Sequence, residues 1–454
     1  MADHQNPPIT ALATPWGSSA IAVIRCSGSG AIELVDRIFV PAGKLATAAP
    51  NSVHHGFVVD PDSRARLDEV MVVLLRAPGS YTGEDTVEIM CHGSSAGIQR
   101  ILAVLLAIGF RQAEPGEFTL RAFMAGKLDL TRAEAVNELV SARTAEAHEM
   151  ALQRLSGALE QRINAIKARL VTLLAAVDIQ LDYPEEDSGE VVIAPEAVVE
   201  VRDQIRELLA SYRTGRIYQQ GVRVAIAGRT NAGKSSLFNE LLRQDRSIVS
   251  ETAGTTRDYI ESTIALAGVP VRLYDTAGFR DSSERVETEG MRRSQEILDA
   301  ADLVLYVIDA GEGVHDSESA MLQQLRDSGR LVGVWNKIDL PAAGARSAPH
   351  GFTAVSLNSG AGLPQLIELI SERILPASLT WNGEPVIDSL RQKQLLEAAD
   401  SALGHVLEGL ARQIPVDAVA LDVEEALHSL GAITGEVTTE DVLSAMFAGF
   451  CVGK

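Results

Sequence analysis

The sequence predicts a multi-domain chain that combines an α/β class with an all-α class, and three observations support this. A length of 454 residues is too great for one hydrophobic core, so two to four domains are expected. Short apolar runs alternate with helical patterns in the first quarter of the chain, and again from about residue 222 to residue 336. Elsewhere the apolar residues recur at spacings of three and four, which is typical of packed helices.

The first segment, residues 1–117, is predicted to form a compact α/β or α+β domain. Its predicted strands are short apolar runs bounded by turns, and they cover Ala20–Arg25, Glu69–Leu75 and Thr86–Met90. Helical patterns lie between these strands or after them, at Ala31–Phe39 and Gly97–Ile108.

The second segment, residues 118–217, is predicted to be helical. An apolar stripe marks one face of a long helix, and it consists of Leu152, Leu155, Leu159, Ile163, Ile166, Leu170, Leu174 and Val177. An acidic turn at residues 183–187 ends this helix, and a second helix covers about residues 195–214. The pattern favours the core of a helical bundle, and the alternative is a specialised coiled-coil seam.

The third segment, residues 218–376, alternates strands with helices, which is the signature of a parallel sheet covered by helices. The pattern runs through Val222–Ala227, Ser236–Leu242, Val271–Asp275, Leu303–Asp309 and Leu331–Asn336. Helical patterns return in the last segment, residues 377–454, and continue to Met446. We therefore expect the sheet domain to be inserted into a helical domain.

Composition and charge indicate the cellular compartment of the protein and the kinds of partner that it can bind. No run of about 18 apolar residues occurs, so no membrane span is predicted. No secretory signal pattern begins the chain, and its three cysteines are too few, and odd in number, for a disulfide framework. A cytoplasmic protein is therefore predicted. The net charge of −21 makes the chain a poor non-specific binder of nucleic acid, because phosphate contacts supply most of that affinity. If RNA is bound, we expect a local basic patch or a partner that holds it.

The segment Gly-Arg-Thr-Asn-Ala-Gly-Lys-Ser follows an apolar strand and opens a helix, which is the spacing and the context of a phosphate-binding P-loop. Its glycines let backbone N–H groups close around phosphates, Lys234 reaches the β- and γ-phosphates, and the Ser235 hydroxyl binds Mg²⁺. The nucleotide-binding residues predicted here are Gly228, Asn231, Ala232, Gly233, Lys234, Ser235 and Ser236.

Two later motifs complete a guanine-nucleotide site. The first motif is Asp-Thr-Ala-Gly. Its Asp275 is predicted to bind Mg²⁺ or the water around it, and the N–H of Gly278 to face the γ-phosphate. The second motif consists of Asn336, Lys337, Ile338 and Asp339. Its Asp339 carboxylate can accept from N1–H and the 2-amino group of guanine, whereas adenine offers neither donor there. Ser356 begins a weaker base-contacting loop. In this order the motifs predict a site for GTP rather than ATP.

A predicted switch segment lies between the P-loop and Asp275, and in it Thr256 supplies a second Mg²⁺ hydroxyl. Small signalling GTPases place a glutamine after the Asp-x-x-Gly motif to orient the attacking water, but here the position is Phe279. Hydrolysis must therefore use another residue. The candidates in the following loop are the carboxylates Glu284, Glu287 and Glu289.

The flanks of this site resemble the MnmE (TrmE) family of tRNA-modification GTPases, and the resemblance covers essentially the whole chain. It rests on Tyr81–Glu88, Gly116–Phe123, Gly126–Leu130, Thr434–Val437 and the tail Phe-Cys-Val-Gly-Lys that ends at Lys454. The resemblance implies an N-terminal α/β folate-binding and dimerisation domain, a helical-bundle domain, and an inserted P-loop GTPase (Ras-like) domain. It also implies K⁺-stimulated GTP hydrolysis coupled to modification of C5 of the wobble uridine, position 34, of certain tRNAs.

The same resemblance implies cofactors and partners. The chain would act as a homodimer in a heterotetramer with the flavoprotein MnmG (GidA), which would carry FAD, and tRNA would be the substrate. GTP, Mg²⁺ and K⁺ would be bound by this chain. The one-carbon unit would come from a tetrahydrofolate derivative, either 5-formyl- or 5,10-methylene-tetrahydrofolate.

Site residues follow from the resemblance position by position. The residues implied to bind K⁺, and with it GTP, are Asn231, Ser250, Thr252 and Thr255. Glu287 is implied as the catalytic glutamate that orients water. The residues implied to bind folate are Arg25, Glu88, Lys127 and Lys454, and Cys451 is implied to face the chemistry there. Cys26 and Cys91 lie in apolar strand contexts, which is typical of core thiols.

The chain departs from the family pattern at Thr230, where most members have proline, at residues 16–19, which are less glycine-rich, and at Val452, where isoleucine is commoner. Two other functions stay open. One is a regulatory switch GTPase in ribosome assembly without chemistry of its own, although the segment after Pro376 is acidic and carries no basic RNA-binding module. The other is a folate-dependent one-carbon transferase whose G domain is regulatory.

Overall fold

A computed structural model describes residues 7–182, 194–244, 260–275, 292 and 295–453. Within them the chain divides into two compact units. Unit 1 contains the described parts of residues 1–137, 154–175 and 423–454, and unit 2 contains those of residues 138–153 and 176–422. No described helix is long and apolar enough to cross a membrane.

Unit 1 is built on a seven-stranded sheet with the order β3-β4-β5-β6-β2-β1-β7. The strands are β1 (Ile9–Leu12), β2 (Ser19–Ser27), β3 (Phe39–Val40), β4 (Ser52–Val59), β5 (Arg66–Leu75), β6 (Thr86–Gly93) and β7 (Arg111–Gln112). Neighbouring strands are antiparallel except for β1 and β7, which are parallel. The three strands predicted in this segment are confirmed, within β2, β5 and β6.

One face of this sheet is covered by α1 (Ala31–Ile38) and α2 (Ser95–Ala107). Because side chains alternate along a strand, Ile24, Val72 and Ile89 point to one face and are fully buried there with apolar residues of the two helices. Both helices agree with the sequence prediction. The Ser94 hydroxyl caps the start of α2 by accepting the Gly97 N–H at 3.1 Å.

Unit 1 also contains helices outside the sheet. They are α3 (Glu117–Met124), most of α4 (Leu130–Ser141), part of α6 (Ala158–Asp182), part of α12 (Val416–Thr434) and α13 (Glu440–Phe447). Leu130 of α4 packs against Phe447 and Phe450 near the C-terminus. The chain therefore returns to α3 and α4 just before its last residues.

The single long helix predicted through the apolar stripe is wrong at its start. The structure has two helices there, α5 (Ala145–Leu155) and α6, separated by Ser156 and Gly157. Gly157 adopts a φ of 92°, a conformation that ends a helix and that glycine adopts without steric cost. From Leu159 to Leu170 the apolar stripe is buried as predicted, whereas Leu152, which lies in α5 before the helix break, is 44% exposed and is not part of that buried face.

Unit 2 contains a six-stranded sheet with the order β13-β12-β11-β8-β10-β9. The strands are β8 (Val222–Gly228), β9 (Ile260–Leu266), β10 (Val269–Asp275), β11 (Leu303–Asp309), β12 (Leu331–Asn336) and β13 (Phe352–Ala354). The predicted parallel sheet is confirmed for β8 and β10 to β13, and the sequence analysis missed β9, an antiparallel edge strand. Apolar residues line both faces of the sheet, since helices cover both.

The helices of unit 2 include α7 (Pro195–Gln220), α8 (Lys234–Gln244), α9 (Asp316–Asp327), α10 (Leu363–Ile374) and α11 (Leu390–Ala411). The second predicted helix is confirmed as α7, although it ends later, before Gly221. Arg202 of α7 donates to Asp400 of α11 at 2.8 Å, so helices from before and after the sheet are joined. The carboxyl ends of the parallel strands β8, β10, β11 and β12 lie along one edge of the sheet, where ligand sites form in such folds.

Candidate functional site

The predicted P-loop lies in unit 2, between the end of β8 at Gly228 and the start of α8 at Lys234. Gly233 has a φ of 107°, and a Cβ atom there would lie 2.2 Å from Nδ2 of Asn336. A larger residue would therefore clash as well as strain the backbone. Asn231 also takes a left-handed φ of 63°, so the loop turns tightly around the start of the helix.

Three predicted phosphate and metal residues converge at the start of α8. The Ser235 hydroxyl donates to Oδ2 of Asp275, the last residue of β10, at 2.9 Å. Lys234 is 7% exposed, and its Nζ donates to the carbonyl oxygen of Arg229 at 2.7 Å, inside the loop. A hydroxyl and a carboxylate oxygen are the ligands that Mg²⁺ prefers, so these residues fit a magnesium nucleotide.

The predicted base-binding residues lie at and after the end of β12, which is separated from β8 by β11 in the sheet. Asn336 ends β12, and its amide donates to the carbonyl oxygen of Ala232 at 2.8 Å and accepts the Leu357 N–H at 3.3 Å. Asn336 is 2% exposed, so it fixes the P-loop against the base-binding loops through buried hydrogen bonds.

Asp339 is exposed next to Ser356. A hydrogen bond from the Ser356 hydroxyl, with a smaller contribution from Asn358, holds the pKa of the Asp339 carboxyl below its usual value. Asp339 is therefore ionised at neutral pH, as a carboxylate that accepts two donors of a base must be. Asn358 stands in the loop that the sequence analysis named, but its contribution to Asp339 was not predicted.

Several predicted residues lie outside the described parts of the chain. They are Ser250, Thr252, Thr255 and Thr256 of the switch segment, Gly278 and Phe279 after Asp275, the loop acids Glu284, Glu287 and Glu289, and the terminal Lys454. Their roles remain predictions.

In unit 1, Arg25 and Glu88 face each other across β2 and β6, whose register pairs them directly. Nε of Arg25 donates to Oε1 of Glu88 at 2.9 Å, and both side chains are 21% exposed. Nη1 of Arg25 also donates to the carbonyl oxygen of Gly453 at 3.2 Å. Two residues predicted for folate therefore lie together, next to the end of the chain.

Aromatic rings surround the Arg25 guanidinium. Its Cζ lies 5.9 Å from the ring centre of Tyr81 and 5.7 Å from that of Phe118. The Tyr81 hydroxyl is hydrogen-bonded to Thr119 of α3 at 2.9 Å. Burial raises the pKa of the Tyr81 phenol, so it stays protonated. Tyr81 lay inside a motif used for the family resemblance, but its contact with Arg25 was not predicted.

Lys127 lies against the loop that carries Tyr81. Its Nζ donates to the carbonyl oxygen of Pro78 at 2.6 Å and to that of Ser80. This loop is tied to α3 by Arg121, which is 5% exposed and pairs with Glu84 at 3.0 Å. Arg25 and Lys127 thus contact one loop, which is held by a partly buried ion pair between Arg121 and Glu84. The sequence analysis missed this ion pair.

The three cysteines differ in their surroundings. Cys451 is exposed, and its carbonyl oxygen accepts the Gly116 N–H at 3.3 Å. Cys26 and Cys91 are buried, as the sequence predicts for core thiols. Burial raises the pKa of Cys26 to about 12 and that of Cys91 to about 11, so both remain protonated and unreactive at neutral pH.

Comparison with known proteins gives consistent matches along the chain. Residues 8–127 match the family model described as GTP-binding protein TrmE N-terminus, and residues 130–451 match that of the MnmE helical domain. The protein named tRNA modification GTPase MnmE from Borrelia recurrentis is 42% identical over 99% of both chains. The protein of the same name from Carboxydothermus hydrogenoformans is 39% identical over 98% of this chain and 99% of its own.

Among solved structures, the G domain of the T. maritima FeoB iron transporter matches 34% of this chain and 98% of that chain, with 27% identity and a TM-score of 0.24. The two family models together cover nearly all of the described residues. With the two sheets and the helices of the structure, they confirm the predicted fold class: an N-terminal α/β domain, a helical domain and a P-loop domain of the α/β type.

Proposed function

Because this chain belongs to the MnmE (TrmE) family of tRNA modification GTPases, we propose that its GTP hydrolysis is stimulated by K⁺ and drives modification of the wobble uridine. The chain is an enzyme, a GTPase that acts in tRNA modification. The finer proposal is that, with a flavoprotein partner, it adds a tetrahydrofolate-derived one-carbon unit at C5 of uridine 34 of certain tRNAs.

The phosphate end of the nucleotide site supports the hydrolytic part of this proposal. Ser235 and Asp275 would hold Mg²⁺, with Thr256 as a further ligand, and Mg²⁺ supplies charge neutralisation at the phosphates. Lys234 already lies within the loop as a donor to the Arg229 carbonyl oxygen, and it would exchange this acceptor for a phosphate oxygen. Each of these residues binds or orients the nucleotide.

Asn231 supports the K⁺ part of the proposal. Its left-handed φ turns the P-loop at a position where an amide oxygen could face a cation beside the phosphates. Ser250, Thr252 and Thr255 would add oxygens from the switch segment. Since Phe279 cannot hydrogen-bond to water, Glu287 would orient the attacking water and hold its proton. Closure of the switch segment across a homodimer of G domains would complete this site.

The Arg25 cluster supports the folate part of the proposal. The ion pair uses Oε1 of Glu88, so Oε2 can accept from a pterin, which offers an N–H and an amino group in the manner of guanine. Arg25 would hold Glu88 in place beside the folate, and Lys127 and Lys454 would bind the carboxylates of the glutamate tail. The aromatic ring of Tyr81 beside Arg25 gives a flat ligand a stacking surface. Exposed Cys451 would face the one-carbon group.

The negative charge of the chain supports the proposal that a partner protein supplies much of the tRNA binding. With a net charge of −21, the protein would leave much of the tRNA binding to the flavoprotein MnmG (GidA), which would carry FAD in a heterotetramer. We place this assembly in the cytoplasm, because the chain shows no disulfide framework and tRNA modification takes place there.

The convergence of Ser235, Asp275 and Lys234 is the observation that most strongly supports this function, and deletion of the chromosomal copy tests it. We expect mass spectrometry of tRNA to find unmodified uridine at position 34 in the deleted strain. Wild-type protein should restore the modification, whereas Lys234→Ala and Arg25→Gln should not. Glu160→Gln, which removes a charge from a partly exposed ion pair with Arg132, is the matched control and should restore it.

Normal wobble uridines in the deleted strain would contradict the proposal. If ribosomal subunits failed to assemble in that strain while uridine 34 was normal, the alternative of a switch GTPase in ribosome assembly would replace it.

A further inference from the structure

Asp309 ends β11 directly beside the guanine-recognition motif, and the sequence analysis assigned it no role. The register of the sheet pairs Asp309 with Asn336, the last residue of β12, and the Ala310 N–H donates to the Asn336 carbonyl oxygen at 2.8 Å. Oδ2 of Asp309 lies 2.8 Å from Nζ of Lys337, while Oδ1 accepts the Gly311 N–H at 2.8 Å. The carboxylate therefore uses both oxygens.

Lys337 combines this ion pair with a strained backbone. It adopts a φ of 67°, the left-handed region, which costs a non-glycine residue free energy unless the surroundings hold it. Backbone hydrogen bonds also hold the loop, since Ile338 donates to the Val355 carbonyl oxygen at 3.3 Å and Leu340 donates to that of Lys337 at 3.1 Å. The side chain of Lys337 is held at its ammonium group, by the ion pair with Asp309.

The ion pair is well placed to persist. The Asp309 side chain is 14% exposed and that of Lys337 31% exposed, so water screens the pair only in part. Burial opposes the charged form of Asp309, but the hydrogen bonds from Lys337 and Gly311 outweigh it and hold the pKa below its usual value. Asp309 therefore stays ionised at neutral pH.

We propose that Asp309 is a positioning residue for guanine recognition: its carboxylate anchors Lys337 and thereby fixes the loop that presents Asp339 to the base. Asp309 acts through Lys337 and is not itself a base contact. The proposal rests on the guanine-binding role proposed above for Asp339. It goes beyond that role because it states that Asp309, at the end of β11, contributes to the affinity for the nucleotide without contacting it.

The test compares the affinity of the full-length chain for fluorescently labelled GDP with that of the Asp309→Asn and Asp309→Ala variants. Loss of a charge-assisted hydrogen bond should raise the dissociation constant by about tenfold, or about 1.4 kcal/mol. Turnover at saturating GTP should change less, because Ser235 and Asp275 belong to other elements of the sheet edge. Asp302→Asn is the matched control, since Asp302 pairs with Arg223 and accepts its backbone N–H at 2.9 Å at the opposite end of β11.

A double-mutant cycle separates positioning from general stability. If Asp309 acts through Lys337, the double variant Asp309→Ala with Lys337→Met should bind GDP no more weakly than Lys337→Met alone. Asp309→Asn with the affinity of the wild-type chain, or additive losses in the double variant, would overturn the proposal. Should Asp309→Ala fail to fold, Asp309→Asn and its combination with Lys337→Met give the same cycle.

Asp339→Asn measured in parallel separates the two proposals. If Asp339→Asn binds GDP as tightly as the wild type, the role of Asp339 in guanine recognition is wrong. If Asp339→Asn weakens binding while Asp309→Asn does not, only the role of Asp309 is wrong.

Discussion

The guanidinium of Arg25 donates a hydrogen bond to the backbone carbonyl oxygen of Gly453 at 3.2 Å, across 428 residues of sequence. The same guanidinium pairs with Glu88, so the tail is joined to the charged pair of β2 and β6. A Cβ atom at Gly453 would lie 2.5 Å from the Leu12 carbonyl oxygen, which shows how closely the tail backbone approaches the sheet. The tail, as far as Gly453, therefore lies against the Arg25–Glu88 pair for which folate binding is proposed.

Deletion of residues 451–454 should abolish wobble-uridine modification and leave GTP binding unchanged, since the tail contacts Arg25 in unit 1 and the P-loop lies in unit 2. Phe447 and Phe450, whose rings lie 5.0 Å apart in the adjoining core, are retained, so the melting temperature should change little. Val452→Ile, at an exposed position, is the control and should behave as wild type. Normal modification in the truncated strain would show that the tail is dispensable.

Asp339→Asn should weaken GTP binding strongly, because an amide cannot accept both donors of guanine and an unpaired buried donor costs roughly 1–3 kcal/mol. Titration with labelled nucleotide measures the effect. Asp327→Asn, which removes an exposed acid from α9, should bind as wild type does. A wild-type chain with equal affinities for ATP and GTP would contradict the guanine assignment.

GTPase activity should be at least about tenfold higher in K⁺ than in Na⁺, which corresponds to roughly 1.4 kcal/mol of barrier. A cation beside Asn231 would neutralise charge that develops between the β- and γ-phosphates, and in the proposed cage of amide and carbonyl oxygens the smaller Na⁺ would hold the switch segment less well than K⁺. Asn231→Ala should remove most of the response. Equal rates of phosphate release in the two salts would leave this mechanism without support.

Glu287→Ala should cut turnover by about 10²-fold or more, the usual scale for a water-orienting group, and leave GTP binding and K⁺-dependent association of G domains in place. Single-turnover hydrolysis measures the chemical step. Glu284→Ala and Glu289→Ala provide the comparison, because they remove neighbouring acids of the same loop and should reduce the rate less. A wild-type rate for Glu287→Ala would exclude it as the catalytic residue.

Alkylation with iodoacetamide should label Cys451 alone in the native chain. The thiolate is the form that reacts, and the pKa values of about 12 for Cys26 and about 11 for Cys91 leave almost none of it at neutral pH. Mass spectrometry should find one adduct per native chain and three after denaturation, since the sequence has three cysteines. Cys451→Ser should remove the native adduct, and rapid native labelling of Cys26 would contradict its burial.

The sequence by itself determined the fold class and the position of the P-loop. A P-loop is made by consecutive residues between β8 and α8, so residue type and spacing along the chain are enough to identify it. Apolar periodicity likewise predicted the parallel strands of unit 2 and helix α7. It failed at Gly157, because the spacing of the apolar residues continues across the break and does not show that Gly157 takes a left-handed φ of 92°.

Only the tertiary structure decided which distant side chains meet. The pairing of Asp309 with Lys337 depends on the register of β11 against β12, and that of Arg25 with Glu88 on the register of β2 against β6. The bond from Arg25 to Gly453 depends on packing of the C-terminal helices in unit 1. The physical reason is that a salt bridge or hydrogen bond acts over about 3 Å, and separation along the chain does not set that distance until the strands and helices between the partners have packed.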